Sequence, residues 1–207
     1  IDEAIQCYII AAKQNYPPAQ YNLGVIYSES KYNVRDINKA IDFISLAANQ
    51  NYPPAQNNLG VIYYEGKYTK RDINKAIYYY SLAASQNHSD AQYNLGYIYL
   101  EGKCIQRDIN KAIYYLTLAA NQNHLKAQMN IGLIYYEGKY IPQNIHKSIH
   151  YFTLAANQND LNAQVNLGLI YYEGKYTQQD INKAFHYFSL AANQNDPEAQ
   201  FYLGLIY

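Results

Sequence analysis

The 207-residue sequence has no excess of either charge and no long hydrophobic run, and these absences exclude several classes of protein. Sixteen basic residues balance sixteen acidic residues, which argues against a nucleic acid or an anionic membrane surface held by bulk electrostatics. No apolar run approaches the roughly 20 residues that a membrane-spanning helix needs. We therefore expect no nucleic-acid partner and no membrane insertion.

The sequence is instead dominated by repetition. The segment NLGVIYYEGKY, residues 58–68, returns with few changes from residues 94, 130 and 166. Leu-Gly or Ile-Gly pairs, Ala-Gln pairs, and Lys-Ala or Lys-Ser pairs all recur at an interval of 36 residues, without an insertion. A fixed period of roughly 20–50 residues predicts a solenoid of stacked supersecondary units.

Each period is predicted to begin with a helix, here called helix A. Ala55 and Leu59 belong to an apolar stripe at helical spacing. Gly66 and its equivalents are placed to end the helix, where a left-handed residue is most easily a glycine. Ser89 and Asp196 are typical N-cap residues, so we expect helix A to start at them.

The second helix of each period, helix B, is predicted to begin at Asp72 or its equivalents, because aspartate is a good N-cap. Ile73, Ala76 and Tyr80 form its buried stripe. It is predicted to end near Asn87 and its equivalents, because asparagine tolerates the left-handed conformation better than other non-glycine residues.

The sequence is expected to open within a helix B and to close within a helix A. Neither end supplies a polar capping helix, so both ends are expected to expose apolar surface. Without an initiator methionine, residues 1–207 are expected to form a single repeat domain within a longer array.

Cysteine is scarce, and Cys7 and Cys104 lie almost three periods apart. Stacked helices are roughly 10 Å apart, so these residues are predicted to lie beyond the roughly 7 Å Cα separation of a disulfide. Two unpaired thiols favour a reducing compartment such as the cytoplasm.

These residues resemble two related repeat families. The pattern L-G-x-x-Y, then alanine with an aromatic residue four positions on (Ala76 and Tyr80), is similar to tetratricopeptide repeats, although their period is about 34. The stretch AQNNLGVIYYEGKYTKRDINKAIYYYSLAASQN more closely resembles the Sel-1-like repeat, whose units read A-Q-x-x-L-G-x-x-Y-x-x-G, then D-x-x-K-A, then A-A. The match covers essentially the whole chain in six copies. It departs where Asn replaces the Gly usual after A-A-x-Q, and where the A–B loop keeps only its first glycine.

The resemblance implies an all-α fold, a right-handed α-solenoid superhelix of antiparallel helix pairs with helices A on the concave side. It also implies an adaptor or scaffold that binds a protein or peptide, because members of the family usually act in this way. The resemblance alone does not prove this function.

Three rows of helix A, here called the helix-A rows, face away from the core stripe and yet are largely apolar. They are Tyr21, Asn57, Tyr93, Met129, Val165 and Phe201; Val25, Val61, Tyr97, Leu133, Leu169 and Leu205; and Ser28, Tyr64, Leu100, Tyr136 and Tyr172. One hypothesis is an aromatic surface for an extended peptide or a partner helix, because tyrosine offers a large contact area and a polar tip. The alternative is packing between repeats.

An unbroken row of asparagines lies beside them, at Asn22, Asn58, Asn94, Asn130 and Asn166. In tetratricopeptide domains the matching asparagine can hydrogen-bond a ligand backbone, since an amide offers both a donor and an acceptor. The alternative is a bridge to the adjacent repeat. The predicted partner-binding residues are Tyr21, Asn22, Asn58, Tyr64, Tyr93, Asn94, Tyr97, Met129, Asn130, Tyr136, Asn166 and Tyr172.

Helix B carries an outer apolar row that consists of Leu46, Leu82, Leu118, Leu154 and Leu190, with Tyr78, Tyr114, His150 and His186 one turn before four of them. Packing under a neighbouring helix is one explanation. A second contact surface, including an end-to-end or lateral self-association seam, is the other. A structural array with no dedicated ligand surface is accordingly the alternative to a scaffold.

The sequence offers little for catalysis. No G-x-S-x-G elbow, phosphate loop or C-x-x-C pair is present. His146 and His150 are four residues apart, with His186 one repeat further on, but a zinc site needs a third ligand at coordination distance. We therefore predict neither a catalytic residue nor a metal or cofactor.

Overall fold

The structure, a computed structural model, describes residues 2–29 and 35–207. All regular secondary structure in these two ranges is helical, with odd-numbered helices corresponding to helix B and even-numbered helices to helix A. The helices are α1 (Asp2–Lys13), α2 (Pro17–Ser28), α3 (Ile37–Asn49), α4 (Pro53–Glu65), α5 (Ile73–Ser85), α6 (Ser89–Glu101), α7 (Ile109–Asn121), α8 (Leu125–Glu137), α9 (Ile145–Ala156), α10 (Leu161–Glu173), α11 (Ile181–Ala192) and α12 (Pro197–Ile206). The predicted all-α array of helix pairs with a 36-residue period is confirmed. In the first copy Ser30 stands in place of the glycine that ends helix A, so the sequence predicts a looser turn there; this residue lies outside the described residues.

Helix A ends at a left-handed glycine in four repeats, as predicted. The φ angles are 61–68° at Gly66, Gly102, Gly138 and Gly174. A side chain from the following loop then binds another carbonyl of the last helical turn. Arg71 Nε donates to the Tyr64 carbonyl at 2.8 Å, and Gln143 Nε2 donates to the Tyr136 carbonyl at 2.6 Å. These contacts satisfy helix-end carbonyls that have no partner within the helix.

Helix B also begins and ends as predicted. A side-chain oxygen accepts the N–H of the residue three positions later, at 2.9–3.1 Å, in Asp36, Asp72, Asn144 and Asp180. After the helix, φ is 58–64° at Asn15, Asn51, Asn87, Asn123, Asn159 and Asn195. The side-chain cap and the left-handed asparagine therefore occur together in α3, α5, α9 and α11.

The start of helix A differs from the prediction at one residue. His88, and not Ser89, is the N-cap of α6, and its Nδ1 accepts the N–H of Ala91 at 3.4 Å. The prediction at Ser89 was wrong because the repeat places the cap one residue earlier. Asp160 and Asp196 occupy that position in later repeats and cap their helices at 2.8 Å, and this confirms the prediction for Asp196.

In three hairpins a glycine of helix A lies directly against an aromatic ring of helix B. A Cβ atom added at this glycine would lie 2.5–2.7 Å from an aromatic ring of helix B, in the pairs Gly60–Tyr80, Gly132–Phe152 and Gly168–Phe188. The three rings are at most 2% exposed. Each ring therefore fills a space that only glycine leaves open.

A second group of aromatic residues also holds the hairpins together. A helix-A ring stacks on a helix-B ring, with centroids 5.7–6.3 Å apart, in the pairs Tyr27–Phe43, Tyr63–Tyr79, Tyr135–Tyr151 and Tyr171–Tyr187. The Nζ atom of a helix-B lysine lies 4.9–5.5 Å from the helix-A ring centroid, in Lys39, Lys75, Lys147 and Lys183. These tyrosines recur because stacking and cation–π contacts stabilise each hairpin.

Buried glutamine side chains connect consecutive repeats. Gln56, on α4, is fully buried, and its Nε2 donates to the carbonyl of Ala48 at the end of α3. Its Oε1 accepts a 2.8 Å hydrogen bond from Gln86, the C-cap of α5. The same amide–amide bond measures 2.7–2.8 Å in the pairs Gln50–Gln20, Gln158–Gln128 and Gln194–Gln164. The sequence shows these glutamines only as part of the period, and their role was not predicted.

The chain divides into two compact units, residues 1–108 and 109–207. The first unit contains a buried cluster around Ile44, Ala55 and Leu59. The second contains a buried cluster around Phe152 and Leu167. Each unit therefore has an apolar core of its own.

Candidate partner-binding surface

The helix-A rows are half-buried in both units. Every member from Tyr21 to Tyr172 is intermediate in exposure, whereas Phe201 and Leu205, on α12, are 62% and 54% exposed. The sequence left open whether these rows are solvent-accessible or covered by neighbouring repeats. Each of the half-buried side chains is partly accessible to solvent and partly covered, so neither hypothesis alone accounts for these rows.

In the first unit, Tyr93 and Tyr97 form a continuous aromatic face on α6. Their rings stack at 6.0 Å, and the Tyr97 hydroxyl donates to Glu101 Oε1 at 2.6 Å. Lys103 Nζ lies 3.0 Å from the same oxygen. The hydrogen bond to Glu101, with partial burial, raises the pKa of Tyr97 to about 12. The phenol therefore stays protonated and its ring is held in one orientation.

Tyr64, on α4, lies beside a second group of polar atoms in the same unit. The Arg71 guanidinium carbon is 5.3 Å from the centroid of its ring, and an Arg71 nitrogen lies 3.1 Å from Cys104 Sγ. Tyr64, Cys104 and Lys103 line a shallow depression that has no room for a water-sized sphere. It is therefore too small for a small-molecule site, which typically has a volume of roughly 300–1,000 Å³. The sequence did not single out Arg71.

In the second unit, the predicted tyrosines also contact the core. The ring of Tyr136 lies 6.4 Å from the buried ring of Phe152, and burial raises the pKa of Tyr136. Tyr172 lies 6.4 Å from Phe188 and 5.2 Å from Tyr202. One side of each ring therefore contributes to repeat packing, as the alternative hypothesis expects.

Other members of the helix-A rows also pack against buried residues. Met129 and Leu133 lie against the Phe152 cluster of the second unit. In the first unit, the ring of Tyr21 meets the ring of Tyr52 at 5.7 Å in an edge-to-face arrangement. The sequence had not included Tyr52 in the surface.

The asparagine row is half-buried throughout, at Asn22, Asn58, Asn94, Asn130 and Asn166. Asn94 Nδ2 donates to Asn57 Oδ1 of the preceding repeat at 3.1 Å. Asn166 Nδ2 donates to the Asn162 carbonyl of its own helix at 2.8 Å. The bridge to an adjacent repeat is thus present at Asn94, and Asn166 makes a local bond.

The outer row of helix B is more open at its aromatic positions. Tyr78 and Tyr114 are each 59% exposed and Leu46 is 48% exposed. His150 and His186 are also exposed, whereas Leu82, Leu118, Leu154 and Leu190 are half-buried. The exposed tyrosines provide matched controls for the tyrosines of helix A.

The structure brings no metal-ligand set together in residues 2–29 and 35–207. No group of three histidine, cysteine, aspartate or glutamate side chains is arranged to hold an ion there. Within the same ranges, Cys7 and Cys104 are free thiols, and both are exposed. None of the helices described above has both the length and the apolar character needed to cross a membrane.

Comparison with known proteins identifies the family. The Sel1 repeat profile matches residues 1–16, 17–52, 53–88, 89–124, 125–160, 161–196 and 197–207. The chain belongs to the Sel1 repeat family. Sel1 repeat proteins are generally protein-interaction scaffolds and are typically non-enzymatic. The resemblance inferred from the sequence is thereby confirmed.

Solved structures agree with this assignment. The chain is similar to c5321, a protective antigen present in uropathogenic Escherichia coli strains that displays an SLR fold, with 33% identity and a TM-score of 0.90 over 96% of this chain. The chain spans 43% of the length of that protein. It is also similar to a Sel1 repeat protein from Oxalobacter formigenes, with 32% identity and a TM-score of 0.80 over 93% of this chain and 79% of that one. No curated protein matches the chain.

Proposed function

We propose that this Sel1 repeat chain is a scaffold that binds an extended peptide or a helix of a partner protein on its helix-A rows. The observation that carries the proposal is the half-exposure of Tyr93 and Tyr97, whose rings stack on each other while the Tyr97 hydroxyl is hydrogen-bonded to Glu101. A pre-oriented aromatic face loses little conformational entropy on binding. Tyrosines of this kind are frequent among the residues that dominate interface energies.

Repetition adds to the proposal because equivalent tyrosines occur on other helices A. In the second unit, Tyr136 and Tyr172 each leave part of the ring accessible while another part packs on the core. A partner that meets several weak sites in series gains avidity without any single strong contact. The partner is therefore expected to be an extended segment and not a small molecule.

The proposal can be tested by photo-crosslinking from two matched tyrosines. Benzoylphenylalanine is placed at Tyr97, on helix A, or at Tyr78, on the outer row of helix B, in the full-length protein in its own cells. Mass spectrometry then identifies the crosslinked protein. We expect a specific partner from position 97, and the same protein from position 136. Crosslinks from position 78 alone would contradict the proposal.

The affinity of the chain for the identified partner then tests the proposal quantitatively. Tyr97→Ala is expected to weaken binding by about 1–3 kcal/mol, and the control Tyr78→Ala by less than about 0.5 kcal/mol. Circular dichroism separates binding from folding. If Tyr97→Ala loses as much helicity as Leu95→Ala, the tyrosine is a core residue and the structural-array alternative is correct.

A further inference from the structure

The loop after helix A carries an arginine in the first unit and a glutamine in the second, at the same position of the repeat. These residues are Arg35, Arg71, Arg107, Gln143 and Gln179. Gln143 and Gln179 each donate Nε2 to a carbonyl in the last turn of helix A, at 2.6 and 2.7 Å. Arg71 Nε donates to the equivalent carbonyl at 2.8 Å. A neutral side chain therefore makes this helix-end bond as well, and the bond does not account for the positive charge in the first unit.

The Arg71 guanidinium contacts a carbonyl and a thiol, but no carboxylate, within the described part of the chain. Its Nε atom donates to the Tyr64 carbonyl, and its Nη2 atom lies 3.1 Å from Cys104 Sγ. A guanidinium has five N–H groups, so three remain, two on Nη1 and one on Nη2. Arg71 is exposed. The Nη1–Nη2 end of the guanidinium can therefore donate two parallel hydrogen bonds to a carboxylate from outside the chain.

The loop that carries Arg71 is basic. Lys67, Lys70 and Arg71 are all exposed between α4 and α5. Asp72 is the only acidic residue of this loop, and its side chain is used as the N-cap of α5. The equivalent loops of the second unit contain one lysine each and no arginine. Positive charge is therefore concentrated at the α4–α5 loop of the first unit.

This basic loop adjoins the helix-A rows. The guanidinium carbon of Arg71 lies 5.3 Å from the ring centroid of Tyr64, which belongs to these rows. Tyr64 and Glu101 line the same shallow depression, and Glu101 Oε1 accepts hydrogen bonds from Tyr97 and Lys103. The Glu101 carboxylate is thus paired with a lysine. A segment that lies on Tyr64 is within reach of Arg71.

We propose that the α4–α5 loop binds an acidic segment of the partner protein, and that the Arg71 guanidinium binds an aspartate or glutamate of that segment. This inference rests on the proposed function, because the same segment lies on the helix-A rows. The carboxylate accepts two N–H bonds from Arg71 while a neighbouring side chain packs on the ring of Tyr64. The cations are confined to one short loop of a chain without net charge, so the surface suits a short acidic peptide and not a long polyanion such as a nucleic acid.

A random peptide library tests the inference on the 207-residue chain. Phage-displayed dodecapeptides are selected on the immobilised parent and, separately, on Arg71→Gln. The second unit carries a glutamine at this position, and its Nε2 makes the helix-end hydrogen bond, so the substitution removes the charge and keeps the bond. We expect peptides selected by the parent to contain more aspartate and glutamate than the unselected library. Peptides selected by Arg71→Gln are expected to contain less of both than those selected by the parent.

Fluorescence anisotropy with one selected acidic peptide, labelled with fluorescein, measures the contribution of Arg71. Arg71→Gln is expected to weaken binding about threefold to tenfold, between the effects of an exposed ion pair and of a bidentate one. The control Lys13→Gln removes the same charge from an exposed position at the end of α1, in the same unit, and is expected to change the affinity less than about twofold. Replacing the acidic residues of the peptide by asparagine and glutamine is expected to weaken binding to the parent more than binding to Arg71→Gln.

Two results would overturn this inference and leave the proposed function standing. The first is a set of selected peptides whose content of aspartate and glutamate equals that of the unselected library. The second is an equal loss of affinity in Arg71→Gln and Lys13→Gln. Selection of no peptide at all would overturn both, because the helix-A rows would then bind no extended segment. Circular dichroism confirms that each variant is folded.

Discussion

The side-chain amide of Gln86 donates a 2.8 Å hydrogen bond to the side-chain oxygen of Gln56, which is fully buried between the helices that it joins. Gln56 in turn donates to the carbonyl of Ala48. One amide thus links the ends of two successive helices B through the helix A between them. A buried amide in a low-dielectric interior is costly unless both of its ends are satisfied.

Gln56→Met is predicted to lower the free energy of unfolding by about 1–3 kcal/mol, because it removes two hydrogen bonds made by a buried amide. The Ala48 carbonyl and the Gln86 amide then keep only their local bonds to Asn51 and Leu82. The measurement is the midpoint of urea unfolding followed by circular dichroism. The control is Gln106→Met, in the exposed loop between α6 and α7, which is expected to have little effect. Equal midpoints for the two variants would show that the amide link contributes nothing.

Gly132→Ala is predicted to destabilise the chain by about 1–3 kcal/mol, since its Cβ would lie 2.7 Å from the buried ring of Phe152 and one of the two must shift. Gly204→Ala makes the same change where the Cβ meets nothing within 4 Å. It is expected to be neutral or stabilising by up to about 1 kcal/mol, through helix propensity. Thermal unfolding of both variants checks the pair, and a Gly132→Ala chain as stable as the parent would rule out the close approach.

Ser148 occupies a position that is alanine in five other repeats, and it is fully buried. Its hydroxyl has no hydrogen-bond partner within the described part of the chain. Ser148→Ala is therefore predicted to raise the free energy of unfolding by about 1 kcal/mol. The reverse change at the equivalent buried position, Ala184→Ser, is predicted to lower it. The prediction fails if chemical denaturation shows Ser148→Ala to be the less stable chain.

The cap of α6 predicts a pH dependence of stability. Burial lowers the pKa of His88 below its ordinary value of 6.5, and the charge of Asp90 opposes this shift. The unfolded chain therefore binds the proton at a higher pH than the folded chain does. The stabilisation from His88 is complete above about pH 6.5 and is lost as the pH falls through the folded-state pKa. Protonation also removes the lone pair that accepts the Ala91 N–H.

His88→Asp, which introduces the cap found at Asp160 and Asp196, tests this pH dependence. Between about pH 7.5 and pH 5, urea midpoints of the variant are expected to fall less than those of the parent, because Asp keeps its charge over this range. His186→Asp, in the exposed middle of α11, is the control and should follow the parent. If the parent and His88→Asp lose stability in parallel, His88 does not govern the change.

The starts and ends of the helices could be predicted from the sequence, because each is determined by residues that are close together in the chain. Gly66 ends a helix, Asp72 caps one and Asn87 adopts a left-handed conformation, and each property belongs to a residue type at one position. The cap at His88 could have been found in the same way, by comparing its position with that of Asp160 and Asp196. Histidine was overlooked because it is not a typical N-cap residue.

The contacts between helices could not be predicted in the same way. The bond between Gln56 and Gln86 joins residues 30 apart, and the stacking of Tyr63 on Tyr79 joins residues 16 apart. The 36-residue period shows that these residue types recur at the same interval, but it does not show which side chains are in contact. For the same reason the sequence could not decide how much of each helix-A tyrosine is covered, since that depends on how closely adjacent helices A approach.

Hydroxyl-radical footprinting of the complex with the partner identified by crosslinking tests the central claim most directly, because it reports the exposure of individual side chains. If the helix-A rows bind the partner, oxidation of Tyr97, Met129 and Tyr136 falls on binding, while oxidation of Tyr78 and Tyr114 on the outer row of helix B stays unchanged. Protection of Tyr78 and Tyr114 with unchanged oxidation of the helix-A residues would contradict the account.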